Sequence, residues 1–287
     1  RPLLTLPYVA PSFALALAWV TMFKSQSFGG KAGLFEAATG VAPPEWLALG
    51  PVPIVITMTI HYFPFAFLML CGALASMNAE MEESATLLGA SRATILRRIT
   101  LPLVLPAVLG AFILMFAKTI GSFALPFLLG VPEDYHTIGT RLLATFKQGL
   151  EGIAFILALL LIVITGLVLW LSSRLTGGQA KRFQTIGGKG FRANLTPLGV
   201  WRWPTCAAVW LFTLAVAVFP LVLVGYQSFL ADSGRFGLDN LTLHYWFGQS
   251  QPDIANGEPG VVFNESILDA ASNTLQLAAY ASVAVAL

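Results

Sequence analysis

Apolar residues run along this chain in long blocks separated by short polar segments. Six blocks reach or approach the roughly 20 residues that a helix needs to cross a lipid bilayer: 3–23, 52–77, 103–127, 152–173, 204–230 and 268–287. Within lipid every backbone N–H and C=O must be satisfied internally, so continuous runs of this length mean helices. The pattern predicts an all-α integral membrane protein, a polytopic helix bundle with six spans. The last run stops at Leu287 with no flanking charge and the first begins at Arg1 without a methionine, so the chain reads as a fragment cut at both ends.

Composition agrees with the pattern. Hydrophobic residues make up 56% of the chain and charged residues 10%, with a mean hydropathy of +0.77; soluble domains carry about 25% charged residues. Charge adds an orientation. Alternating six spans group Arg1, Arg92, Arg97, Arg98, Arg174, Lys181, Arg182, Lys189, Arg192 and Arg202 on one side against Glu80, Glu82 and Glu83, a balance of +7. The other side carries five basic and eleven acidic residues, a balance of −6. The positive-inside rule therefore puts the first side, with its loop at 80–102, in the cytoplasm. Cys71 and Cys206 both sit in apolar runs, which speaks against a structural disulfide and against a metal site.

The 83–102 stretch, ESATLLGASRATILRRITLP, carries the chemistry-free but most specific signal. Acidic residues open it and Arg97 and Arg98 lie towards its far end, an arrangement that suits the dipole of a short helix. Leu87, Leu88, Ile95, Leu96 and Ile99 give two apolar patches, Gly89 permits a bend between them, and Pro102 suits the first turn of the following span. Such an amphipathic helix can be gripped in a partner's groove. Glu83, Ala85, Gly89, Ile99, Leu101 and Pro102 fall at the spacing E-x-A, three residues, G, nine residues, I-x-L-P. This resembles the EAA loop of ATP-binding-cassette importer permeases, with Ser84 in place of the middle alanine. The resemblance implies a bundle of the type I ABC importer permease kind. It also implies a coupling role for Glu83, Ala85, Gly89, Arg92, Ile99, Leu101 and Pro102, with Ile99, Leu101 and Pro102 passing motion into the span. The partners it implies are a cytoplasmic ABC ATPase dimer and an extracytoplasmic solute-binding protein, in a bacterial or archaeal inner membrane among lipid. No cofactor is expected in this chain, because ATP and Mg²⁺ would be bound by the ATPase, and nothing points to nucleic acid.

The basic, glycine-rich segment 174–203 resembles the junction of fused two-half permeases of the ferric-iron type. On that resemblance 1–173 would be the last four spans of a first half, 174–203 a cytoplasmic linker, and 204–287 the first two spans of a second half. Ferric iron is then the leading solute, with thiamine, polyamine, sulfate and aminoethylphosphonate sharing the architecture.

The chain shows no nucleotide-binding or hydrolytic signature of its own. G-x-x-x-x-G-K-[ST] is absent, as are HExxH and CxxC, and His61, His136 and His244 lie in separate segments. Enzyme is a poor reading. Two ionisable side chains fall inside spans and are candidates for the translocation path. Lys118 lies 16 residues beyond Pro102, ~24 Å up a helix, where a lysine can snorkel to water; as a path residue it would favour an anion or anionic chelate over a bare cation. His61 is read first as a hydrogen-bonded interior histidine. Thr57, Thr59, Ser122 and Thr165 read as helix–helix contacts. The competing reading, a secondary transporter driven by an ion gradient, expects carboxylates or broken helices near midplane, and here only Asp269 touches a span boundary.

Overall fold

The computed structural model describes residues 2–28, 30–77, 79–183, 199–251 and 255–286. Long helices dominate: α1 (Pro2–Val9), α2 (Ser12–Phe23), α3 (Pro51–Ala75), α4 (Ala79–Leu87), α5 (Arg92–Ile120), α6 (Ala124–Leu129), α7 (Ile138–Lys147), α8 (Glu151–Phe183), α9 (Gly199–Gln227) and α10 (Glu265–Ala286). Among the described residues the only β-type pairing is an isolated bridge between Leu230 and Leu241. The all-α membrane class is what the hydrophobic pattern demanded.

Among the described residues four helical segments are long and apolar enough to cross a membrane: Glu45–Ala75, Arg92–Ile120, Glu151–Leu171 and Gly199–Gln227. The expected count of six is therefore not reached by length and composition. The 3–23 run is divided, because Pro11 cannot continue the hydrogen-bond ladder of α1. The last run forms a helix, but one that starts at Glu265 and carries Asp269, Asn273 and Gln276. The 103–127 run is shorter than read, ending at Ile120 before a break and the short α6. In the other direction, α8 continues past 173 to Phe183, so the first third of the predicted linker is helical. Gly187, Gly188, Gly190 and Pro197 of that linker lie outside the described residues.

The chain folds as two compact units, Arg1–Val20 with Pro44–Leu221, and Thr21–Pro43 with Val222–Leu287. In the first, α3 packs against α1 and α5, and α8 against α5 and α7. Local chemistry sets the boundaries. Gly50, at φ +92°, turns the chain into α3, and Pro51 occupies its first position, where a missing N–H costs nothing. Thr137 and Thr140 form a reciprocal capping box at the start of α7. A small dry core gathers Ala16, Ile54, Met58, Leu125 and Leu129, with Trp19 packed on it and its indole N–H donating to the Leu47 carbonyl at 2.9 Å. Elsewhere the large side chains of α8, such as Phe155, Ile156, Ile162 and Val163, are exposed, as suits helices whose solvent is lipid.

Thr57, Thr59 and Thr165 do not bridge helices as expected. Their hydroxyls donate back to the carbonyls of Pro53, Val55 and Leu161 one turn earlier, at 2.6, 2.7 and 2.8 Å. An intrahelical carbonyl one turn earlier is within reach of a threonine hydroxyl wherever the neighbouring helices stand.

The second unit holds the loop 231–242. Asn240 closes it, its side-chain amide donating to the carbonyls of Asp232 and Arg235 at 2.8 and 2.7 Å while its oxygen accepts from the Asp232 N–H. Lys31 pairs with Asp232 at 3.8 Å and Arg235 with Asp239 at 2.6 Å.

Candidate functional site

The segment from Ala79 to Pro102 folds as helix, turn and helix. α4 opens on Glu80 and Glu82 in its first turn, where carboxylates meet the positive end of the dipole. It ends in a Schellman turn: Ala90 N–H donates to the Ala85 carbonyl and Gly89 N–H to the Thr86 carbonyl, both at 3.0 Å. Gly89 carries φ +81°, and a Cβ added there would meet nothing within 4 Å. Backbone conformation, not crowding, is what asks for glycine. The turn thus joins two of the fixed positions, the carbonyl of Ala85 and the left-handed Gly89. Ser91 then caps the second helix, its hydroxyl accepting from Thr94 N–H at 3.3 Å.

The second helix does not begin at Pro102. It runs unbroken from Arg92 to Ile120, widening to π geometry at Leu96–Thr100. Leu101 N–H reaches the Leu96 carbonyl, and Pro102, which has no N–H, follows directly. The wider turn relieves the clash between a mid-helix proline ring and the carbonyl four residues back. Pro102 does lie in the first turn of the α segment Leu101–Ile120, as expected, and the structure adds that the loop's second helix and the span are one rod. The pattern recurs in α9, where the π segment Leu214–Val218 sends Phe219 N–H to the Leu214 carbonyl just before Pro220.

All seven proposed coupling positions lie in this one segment. Glu83, Gly89, Arg92 and Leu101 are exposed, while Ala85, Ile99 and Pro102 are half-buried. Of the apolar positions, Ile95 turns inward, whereas Leu87 and Leu88 at the tip are 88% and 89% exposed. Arg92, Arg97 and Arg98 are exposed as well, so the outer surface combines an apolar tip with a basic flank. Reading the sequence missed the tie between the two helices. Thr100 Oγ1 donates to Glu82 Oε1 at 2.7 Å across 18 positions, and no local spacing announces that contact. Ser91 was missed too, although Ser-x-x-Thr before a helical run is a legible cap.

The two intramembrane candidates come together in the first unit. Lys118 Nζ lies 6.0 Å from the ring of Tyr8 and 5.9 Å from that of Phe65. The Tyr8 ring is 5.9 Å from that of His61, which also stands edge-on to Tyr62 at 4.9 Å. His61 is buried, with Nδ1 2.9 Å from the Pro7 carbonyl oxygen. Among the described residues no group of three or more His, Cys, Asp or Glu is placed to hold a metal ion. Cys71 and Cys206 are free thiols.

Residues 1–177, which include the whole helix–turn–helix segment, match the family described as the inner membrane component of binding-protein-dependent transport systems. The chain belongs to this family. Its four candidate spans suit a multi-pass component of the inner membrane. It is 31% identical over 232 residues to a probable ABC transporter permease of Sinorhizobium fredii, covering 79% of this chain and 39% of that one. With the ferric transport system permease FbpB of Actinobacillus pleuropneumoniae it shares 26% over 261 residues, 87% of this chain and 36% of the relative. With the molybdenum transport permease ModB of Mycobacterium tuberculosis it shares 32% over 123 residues, 43% of this chain and 44% of the relative. The chain thus spans less than half the length of these permeases.

Proposed function

We propose that this permease is the membrane part of an ATP-driven importer and that Ala79–Pro102 is where a cytoplasmic ABC ATPase dimer grips it. The observation that carries the reading is the exposed tip Leu87–Leu88 on a helix–Schellman–helix segment whose second helix continues without a joint into a membrane span. Apolar side chains exposed on a rigid surface element mark a partner site. Glu83, Ala85, Gly89 and Arg92 form the contact region. Ile99, Leu101 and Pro102 transmit its displacement, since a continuous rod passes a tilt at one end to the other. The +7 balance of this side supports its cytoplasmic placement. ATP and Mg²⁺ belong to the ATPase, and an extracytoplasmic solute-binding protein delivers the cargo.

We further propose that residues 1–173 belong to one permease half, 174–203 to the linker, and 204–287 to a second half. Ferric iron is the leading cargo, on the resemblance of the linker to fused ferric permeases and on two relatives named as ferric transport permeases. Molybdenum and maltose permeases are also among the relatives, and Lys118, if it faces the path, prefers iron as an anionic chelate to a bare Fe³⁺. The test is co-purification of the full-length permease with its genomically adjacent ATPase. The intact protein is expected to retain the ATPase, and Glu83 or Gly89 variants to release it. An intact protein that retains no ATPase overturns the reading. Uptake of radioactive iron, molybdate and maltose into proteoliposomes of the complex then separates the cargoes.

A further inference from the structure

Pro11 removes one hydrogen-bond donor from the middle of the first apolar run, and the carbonyl it deprives is that of Pro7, four residues earlier. The backbone offers no substitute. Ala10 N–H is taken by the Leu6 carbonyl at 2.9 Å, the N–H groups of Ala14 and Leu15 turn to the carbonyl of Pro11 itself, and among the described residues no backbone N–H reaches the Pro7 oxygen. In a bilayer no water makes up the loss. The group that reaches the orphaned oxygen comes from another helix: His61 on α3, with Nδ1 at 2.9 Å across 54 positions of sequence. A carbonyl oxygen only accepts, so the proton of this bond sits on Nδ1.

We propose that His61 is a positioning residue whose Nδ1–H replaces the backbone donor removed by Pro11, fixing the bend at Ala10–Pro11 and with it the place of Tyr8 beside Lys118. Tyr8 is the residue directly after the accepting carbonyl, and its ring stands between those of His61 and Phe65, at 5.9 and 5.8 Å. A shift of the Pro7 peptide therefore carries the Tyr8 ring away from the Lys118 ammonium. On this assignment His61 acts through the backbone and not on the solute. It explains why a buried polar ring occurs in a span that otherwise has no use for one. The inference rests on the permease reading for its membrane setting, but its test reads folding and proton position, neither of which needs transport.

The experiment is a mutant cycle on the full-length permease in lipid nanodiscs, read by thermal unfolding. His61→Leu is expected to lower the midpoint by about 3–6 °C, the effect of leaving a buried carbonyl unpaired. Pro11→Ala restores an N–H four residues after Pro7, so in that background His61→Leu is expected to lower the midpoint by less than half as much. Equal losses in the two backgrounds overturn the assignment. His61→Asn sets an amide N–H where Nδ1 stood and should recover the midpoint, whereas His61→Gln, whose amide reaches the position of Nε2, should not; the opposite order also overturns it. Should His61→Leu fail to fold alone, ¹⁵N solid-state NMR of the unmutated protein decides: a protonated Nδ1 supports the proposal, and a bare Nδ1 sinks it.

Discussion

Gly89 and Glu82 show how single residues set the shape of the proposed coupling segment. At φ +81° an alanine pays a left-handed penalty of roughly 1 kcal/mol, asparagine less, and proline both forbids the angle and removes the N–H that bonds Thr86. ATPase retention should therefore rank wild type, Gly89→Asn, Gly89→Ala, Gly89→Pro, with the alanine variant about fivefold weaker and the proline variant inactive in uptake though still inserted. Pull-down titration checks the order, and uptake by Gly89→Pro at the wild-type rate would remove the coupling role. The Thr100–Glu82 bond makes a second prediction. Thr100→Val and Glu82→Ala should each destabilise by about 1 kcal/mol, and the double variant by little more than either, because both delete one interaction. Thermal unfolding of the three variants reads this directly. At Lys118 the exposed ammonium beside two rings fits a snorkelling cation, so Lys118→Met is expected to leave uptake within about twofold. A larger loss would put the ammonium on the solute's route.

At the scale of elements, the important object is α5, which is both the second helix of the proposed coupling segment and a span. A π turn holds one residue more than an α turn, so everything upstream of Leu96–Thr100 is rotated by about 100° relative to a plain helix. Pro102 enforces that turn. Pro102→Ala restores the donor and lets the helix relax to α geometry, which should raise thermal stability while swinging Arg92 and the Leu87–Leu88 tip away from the ATPase. Higher stability with lower uptake is the expected signature, and unchanged uptake would show that the rotation is unused. Pro220 follows Leu214–Val218 in the same way, so Pro220→Ala, which lies far from the coupling segment in sequence, is the natural control. The existence of these spans was legible from hydrophobic runs, but the π turns were not. Periodicity records which residues are apolar, and one inserted residue in a uniformly apolar helix leaves no trace in it.

For the molecule as a whole, charge asymmetry makes an orientation claim. After replacement of Cys71 and Cys206, cysteines placed at Leu88 and Arg174 should react with an impermeant thiol reagent only from the cytoplasmic side, and cysteines at Trp46 and Lys147 only from outside. Labelling of Leu88→Cys from outside would reverse the topology. The amino-acid sequence alone determined the class, because a hydrophobic run of bilayer length admits only a helix. It also marked out the helix–turn–helix segment 79–102, because a Schellman turn and the positions around it are local and written in consecutive residues. Its six runs are not all matched by helices of spanning length and composition among the described residues, since composition along 3–23 says nothing of a ladder interrupted at Pro11, and the polar positions of 265–286 dilute a run that looks continuous in outline. What only the tertiary structure decided are the contacts between residues distant in sequence: Thr100 on Glu82, Tyr8 beside Lys118, and His61 on the carbonyl of Pro7. Each depends on how helices pack side by side, and packing is set by shape across the bundle, not by any spacing along one helix.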